Sequence, residues 1–194
     1  MKKIKKFKLK LSQYYVERGL KKRVPGFDPD IAPDGVKDNI EGLVQQLEPA
    51  VVYETLPVKD VVKDFFQTTK IPKKAVAISF FIYNFGRNEL KLTSSDAIPQ
   101  EISEKVFVDT VIEEANKLSS TFIINLLKEE AKKDDCNLAE PVYVLDKVFE
   151  EYINDMLNGE KIGVELGSCA GANLAGLTFG YIYWLSKSKG KQSK

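Results

Sequence analysis

Residues 74–85 read KAVAISFFIYNF, and almost every position is apolar, with β-branched and aromatic side chains facing both ways along the run. A half-exposed strand would alternate apolar with polar residues; one that is apolar on both faces belongs inside a sheet. The GRN that follows (86–88) is a turn sequence, and Glu89, Lys91 and Thr93 then alternate with Leu90, Leu92 and Ser94. The stretch 74–95 is therefore expected to form a hairpin whose first arm is a central strand.

Two more strands are expected before it. In residues 4–11, Phe7, Leu9 and Leu11 alternate with Lys6, Lys8 and Lys10, giving a half-buried strand with one lysine face, a common way to protect a sheet edge. Residues 50–56, AVVYETL, form the other. Helices are expected over 36–47, where Ile40, Leu43, Val44 and Leu47 share a face behind Asp38 or Asn39 as cap, and over 58–69, through Val58, Val61, Val62, Phe65 and Phe66. The stretch 23–35, with three prolines and two glycines, is a loop. Its Asp28, Asp30 and Asp34 lack the ligand spacing and distal Glu of a calcium-binding EF-hand.

Two long helices follow. In 103–133, Val108, Val111, Ile112, Ala115, Leu118, Phe122, Ile123, Leu126 and Leu127 keep helical spacing, and Pro99 suits an early helical position. After a break at 134–137, Leu145, Val148, Phe149, Tyr152, Ile153 and Met156 mark a second amphipathic helix ending at Asn158 and Gly159. Strands early and helices late predict an α+β fold: a small antiparallel sheet of about three or four strands in the N-terminal half, packed against a C-terminal layer of long helices. A single domain over 1–186 and a disordered basic tail over 187–194 complete the expectation.

The chain contains no histidine. A Ser-His-Asp or Cys-His mechanism within it is excluded, as is a zinc site built on histidine. Its two cysteines, Cys136 and Cys169, lie far apart and are expected to be free thiols in a reducing cytoplasm. The N-terminus is too charged for a signal peptide. Charge is unevenly spread. Residues 1–24 hold ten Lys/Arg against one Glu and residues 186–194 hold four Lys, so an overall charge of +1 leaves 25–185 at −12. Basic ends through Lys2–Lys10 and Lys187–Lys194 are suited to nucleic acid or an anionic surface, or to pairing with an acidic body.

The C-terminal segment admits four readings. Gly163, Gly167, Gly171, Gly176 and Gly180 punctuate it, and Cys169 sits in a Gly-x-Cys-x-Gly arrangement that would place a nucleophile on a sharp turn, although the usual histidine partner is missing. Residues 164–174, VELGSCAGANL, resemble the first motif of class I S-adenosylmethionine-dependent methyltransferases: Glu165, Gly167 and Gly171 fall where that pattern wants them, and Cys169 replaces a customary glycine. The resemblance implies a strand, a glycine turn holding the cofactor and a helix; it covers eleven residues, and the twenty that follow are too few to complete the sheet of that family. Residues 162–185, carrying only Glu165 as a formal charge and small residues at Ser168, Ala172, Gly176 and Gly180, also imitate a membrane helix. The fourth reading is a helix within the fold, with Leu166, Leu174, Leu177, Tyr181, Trp184 and Leu185 on one side and the small residues on the other, where a backbone, a second subunit or a ligand comes close.

The expectation carried forward is a cytoplasmic, non-catalytic domain that binds a small apolar ligand or a partner, as a homodimer. Gly167, Ser168, Cys169, Gly171, Asn173, Gly176 and Gly180 form its contact or pocket. An enzyme using Cys169 or an S-adenosylmethionine loop, and a nucleic-acid or membrane-surface binder using the basic ends, are the other classes. No metal ligands and no catalytic residue are assigned.

Overall fold

The computed structural model describes residues 2–29, 34–61, 70–86, 90–93, 102–164 and 176–187. Its centre is the apolar run, which forms β3 (Ala75–Asn84). β3 pairs antiparallel with β2 (Ala50–Pro57) on one side and with β6 (Thr178–Ser186) on the other. β1 (Lys3–Lys6) extends the sheet beyond β2. Past β6 lie two three-residue strands set end to end, β4 (Cys136–Leu138) and β5 (Val142–Val144). The fold is thus α+β and, among the described residues, has a six-stranded antiparallel sheet and four helices.

The sheet is larger than the three or four strands expected and is not confined to the N-terminal half, since β4, β5 and β6 all follow the long helix. Residues 90–93 form no strand, so β3 does not fold back on the arm the alternation predicted; β2 and β6 take both its edges. An isolated second arm had only period-two polarity to recommend it, whereas β6 brings aromatic and branched side chains to both faces. Phe80, Ile82, Phe179, Tyr181 and Tyr183 point to one side, where α4 (Lys147–Leu157) packs. Phe81, Tyr83, Phe85 and Ile182 point to the other, against α3 (Glu104–Lys133). Helices therefore cover both faces.

α3 begins behind Ser103, whose hydroxyl accepts the Val106 amide at 3.3 Å. Its buried stripe is Phe107, Val111, Ala115, Ser119, Ile123, Leu127 and Ala131, each four residues from the last. A step of four overshoots the 3.6-residue turn by about 40°, so over six steps the stripe winds about 240° around the helix. That rotation lets one helix serve different partners along its length. Phe107 and Val111 pack with α1 (Gln13–Arg23) and α2 (Asp34–Gln46); Ala115, Ile123 and Leu127 pack under the sheet; Ala131 meets Cys136 and Trp184.

α1 was not anticipated. Val16 and Leu20 are its buried face, with Val24 buried just past its end, too sparse beside seven charged or tyrosine side chains to announce a helix. Upstream, hydrogen bonding with β2 ends at Lys6, yet the expected in–out alternation continues: Phe7, Leu9 and Leu11 are partly buried and Lys8 and Lys10 exposed. The Phe7 ring stacks on Phe122 with centroids 4.2 Å apart. α2 starts at Asp34, inside the stretch expected to be loop. α4 starts behind Asp146, whose carboxylate accepts the Val148 and Phe149 amides. Leu145 therefore lies outside it and is 92% exposed, and Val148 is 72% exposed, so neither joins the core. Of the helix expected over 58–69, Val58–Asp60 form a single 3-10 turn and 62–69 lie outside the described residues, as does Pro99.

Candidate functional site

The glycine-rich segment is not one helix. Gly159–Ile162 form a 3-10 turn, Gly163 has φ 85°, and residues 178–186 are strand β6. A helix through 162–185, whether packed in the fold or spanning a membrane, is excluded by its two ends, and no helix among the described residues is long and apolar enough to cross a membrane. Nor does a strand lead into 164–174, as the methyltransferase resemblance implied. Gly167, Ser168, Cys169, Gly171 and Asn173 lie outside the described residues.

Gly176 and Gly180 have separate packing duties. Gly180 pairs with Phe81 across β3 and β6, and a Cβ there would strike the Phe81 ring and stand 2.8 Å from the Val142 carbonyl. Gly176, at φ +64°, lies against the Phe85 ring; its Cβ would also come within 3.1 Å of Asn116 Oδ1. Nearby, Ser120 and Tyr83 share a 3.1 Å hydrogen bond, while the buried Asn116 Oδ1 and Ser119 Oγ have no hydrogen-bond partner among the described residues. Ser119 does not bond back to the preceding turn; Thr110 and Thr121 do, donating to the Val106 and Lys117 carbonyls. Cys136 is a buried free thiol donating to the Asp134 carbonyl, and burial pushes its pKa up, away from thiolate chemistry. Among the described residues no three His, Cys, Asp or Glu are grouped to hold a metal.

Charge converges elsewhere. Between α1 and α3 runs a groove of about 560 Å³, within the range of small-molecule sites. Five cations line it, Lys10, Arg18, Lys22, Arg23 and Lys117, against two carboxylates, Glu113 and Glu114. The helices lie close there because α1 has Gly19 at the crossing: a Cβ would come within 2.7 Å of Thr110 Cγ2. The carboxylates are already engaged. Glu113 pairs with Arg23 and, at 2.9 Å, with Lys117, which also reaches Glu114 at 2.6 Å. The Lys117 hydrogen bond, helped by Arg23, holds the Glu113 carboxyl below its ordinary range, and the two carboxylates raise Lys117. Lys10, Arg18 and Lys22 make no ion pair among the described residues, and Tyr15 stands on the rim, 55% exposed.

Cations in the last turn of α1 also complement its helix dipole, a local reason for Lys21, Lys22 and Arg23. Arg18, in mid-helix, has no such reason. The sequence pointed to a basic N-terminus but put its lysines on a strand; the missed signal was the i, i+3, i+7 spacing of Tyr15, Arg18 and Lys22. No family model matches this chain, and no curated protein is similar to it in sequence.

Proposed function

We propose that this chain is a binding protein, not a catalyst, and that it takes an anionic ligand in the groove between α1 and α3. The observation that carries the reading is the excess of three cations over carboxylates in one concave site, with Lys10, Arg18 and Lys22 in no ion pair among the described residues. An unpaired cation in a partly enclosed groove gains more from an incoming anion than one in open solvent, because the effective dielectric is lower. Arginine adds a planar fork suited to phosphate or carboxylate oxygens.

Heparin affinity, measured by fluorescence anisotropy at fixed moderate salt, tests the groove. The Arg18→Glu/Lys22→Glu double variant changes exposed side chains only and is expected to weaken heparin binding at least about tenfold, as reversing four charge units implies. Equal affinity in the variant, or no heparin binding by the parent protein, overturns the reading.

A further inference from the structure

We infer that the ligand of this groove is single-stranded nucleic acid, with the phosphates on the cations and bases stacked on Tyr14 and Tyr15; the inference rests on the anion-binding reading above. At about 100° per residue, Lys21, Tyr14, Arg18, Lys22 and Tyr15 fall in that angular order within an arc of about 120° on α1. The opposite side carries the buried Val16 and Leu20. The arc contains three cations, two aromatic rings and no carboxylate; Glu17 lies beyond its edge, accepting a hydrogen bond from Gln13 at 2.6 Å.

Tyr14 and Tyr15 are 61% and 55% exposed, and their rings meet edge to face with centroids 5.4 Å apart. Two large exposed aromatic residues side by side on a charged helix contribute nothing to the core. They offer ring faces, which every base can stack on but only an unpaired base can reach. Lys8 and Lys10, exposed on the segment leading into α1, extend the same cationic strip, and Lys117 closes it on the α3 side. This interleaving of rings and cations is the chemistry of a single-strand track. A membrane surface fits less well. The aliphatic residues of α1 are all buried, which leaves nothing to enter hydrocarbon beyond the two phenols, and the cations line a concavity.

The test compares a fluorescein-labelled fifteen-nucleotide oligo(dT) with heparin, which carries charge without bases, on the full chain and on three double variants. Tyr14→Ala/Tyr15→Ala is expected to weaken oligonucleotide binding about tenfold or more, as loss of one or two stacked bases implies, and to leave heparin binding unchanged. Tyr14→Phe/Tyr15→Phe is expected to retain the oligonucleotide. Arg18→Glu/Lys22→Glu is expected to weaken both ligands and flatten the dependence of oligonucleotide affinity on salt. All four side chains are exposed, so circular dichroism melts should coincide. If the alanine pair leaves the oligonucleotide unmoved, or weakens heparin equally, the ligand class is wrong while the groove survives. If a duplex of the same length binds as tightly as the single strand, or phosphatidylserine vesicles bind and the oligonucleotide does not, the inference is overturned. If the wild-type chain binds neither oligonucleotide nor heparin, both readings fall.

Discussion

The two ends of α3 do opposite things with the same kind of stripe. Toward its C-terminus, Ile123, Leu127 and Ala131 are closed over by the sheet, where Trp184 donates to Ser79 at 2.7 Å and Ser79 shares a hydrogen bond with Thr55. Toward its N-terminus, Phe107 and Val111 are covered by two helices that leave a charged groove beside them. Interdigitated packing leaves little tolerance for change, whereas a helix lying on another helix keeps one side free for recognition. Stability should therefore be concentrated at the sheet end and binding at the groove end.

Substitutions at the two ends can break that contrast. The largest effect is expected for Phe81→Ala, which empties a buried ring site and should cost about 3–5 kcal/mol in urea unfolding. Gly180→Ala, by forcing a methyl against that ring, should cost about 1–3 kcal/mol alone and clearly less in the Phe81→Ala background. Additive costs would show that the ring contact is not what requires glycine.

A smaller effect is expected where α1 crosses α3. Gly19→Ala sets a helix-propensity gain of about 1 kcal/mol against crowding by Thr110, whose methyl is fixed because its hydroxyl is committed to the Val106 carbonyl. The melting point should move by only a few degrees, but heparin affinity should change as α1 is displaced. Unchanged affinity would mean that the groove does not depend on the spacing of these helices.

The smallest effect is expected for Glu113→Gln. Glu113 is half-exposed, so its pairs with Arg23 and Lys117 should contribute under about 1 kcal/mol. Its carboxyl pKa is lowered in the folded state, so whatever it contributes is present above the ordinary carboxylate range and is lost as pH falls through the folded pKa. The variant should flatten the acid limb of a stability–pH curve, leave neutral stability nearly unchanged and tighten heparin binding by freeing Arg23, while Lys117 keeps Glu114. Weaker heparin binding would show that Glu113 positions Arg23 and Lys117 rather than competing for them.

How much of this was legible follows from what each segment must satisfy. β3, β2, α2 and α3 were readable because burial on one or both faces dictated their side chains. β6 was not, because glycines every four or five residues among aromatic ones imitate a small face on a helix; Gly180 is there for the Phe81 ring across the strand pair. β4 and β5 are too short to carry a pattern, and their pairing with β6 joins residues 35 to 50 apart in sequence. At the site, the basic N-terminus was visible as charge, but the arc of Tyr14, Tyr15, Arg18 and Lys22 acquires meaning only once α1 is known to be a helix.

The two short strands on β6 bear on how copies of this chain can meet. β4 pairs with residues 184–186 and β5 with 179–181; between them the Ala139 amide still reaches the Tyr183 carbonyl, and Pro141 has no amide to offer. An incoming strand would find a staircase in place of a ledge, with three residues of template, a step and three more. Such a rim stacks poorly into a continuous ribbon. A twin subunit, if the chain pairs with itself, has better footing on a helical surface than on this side of the sheet.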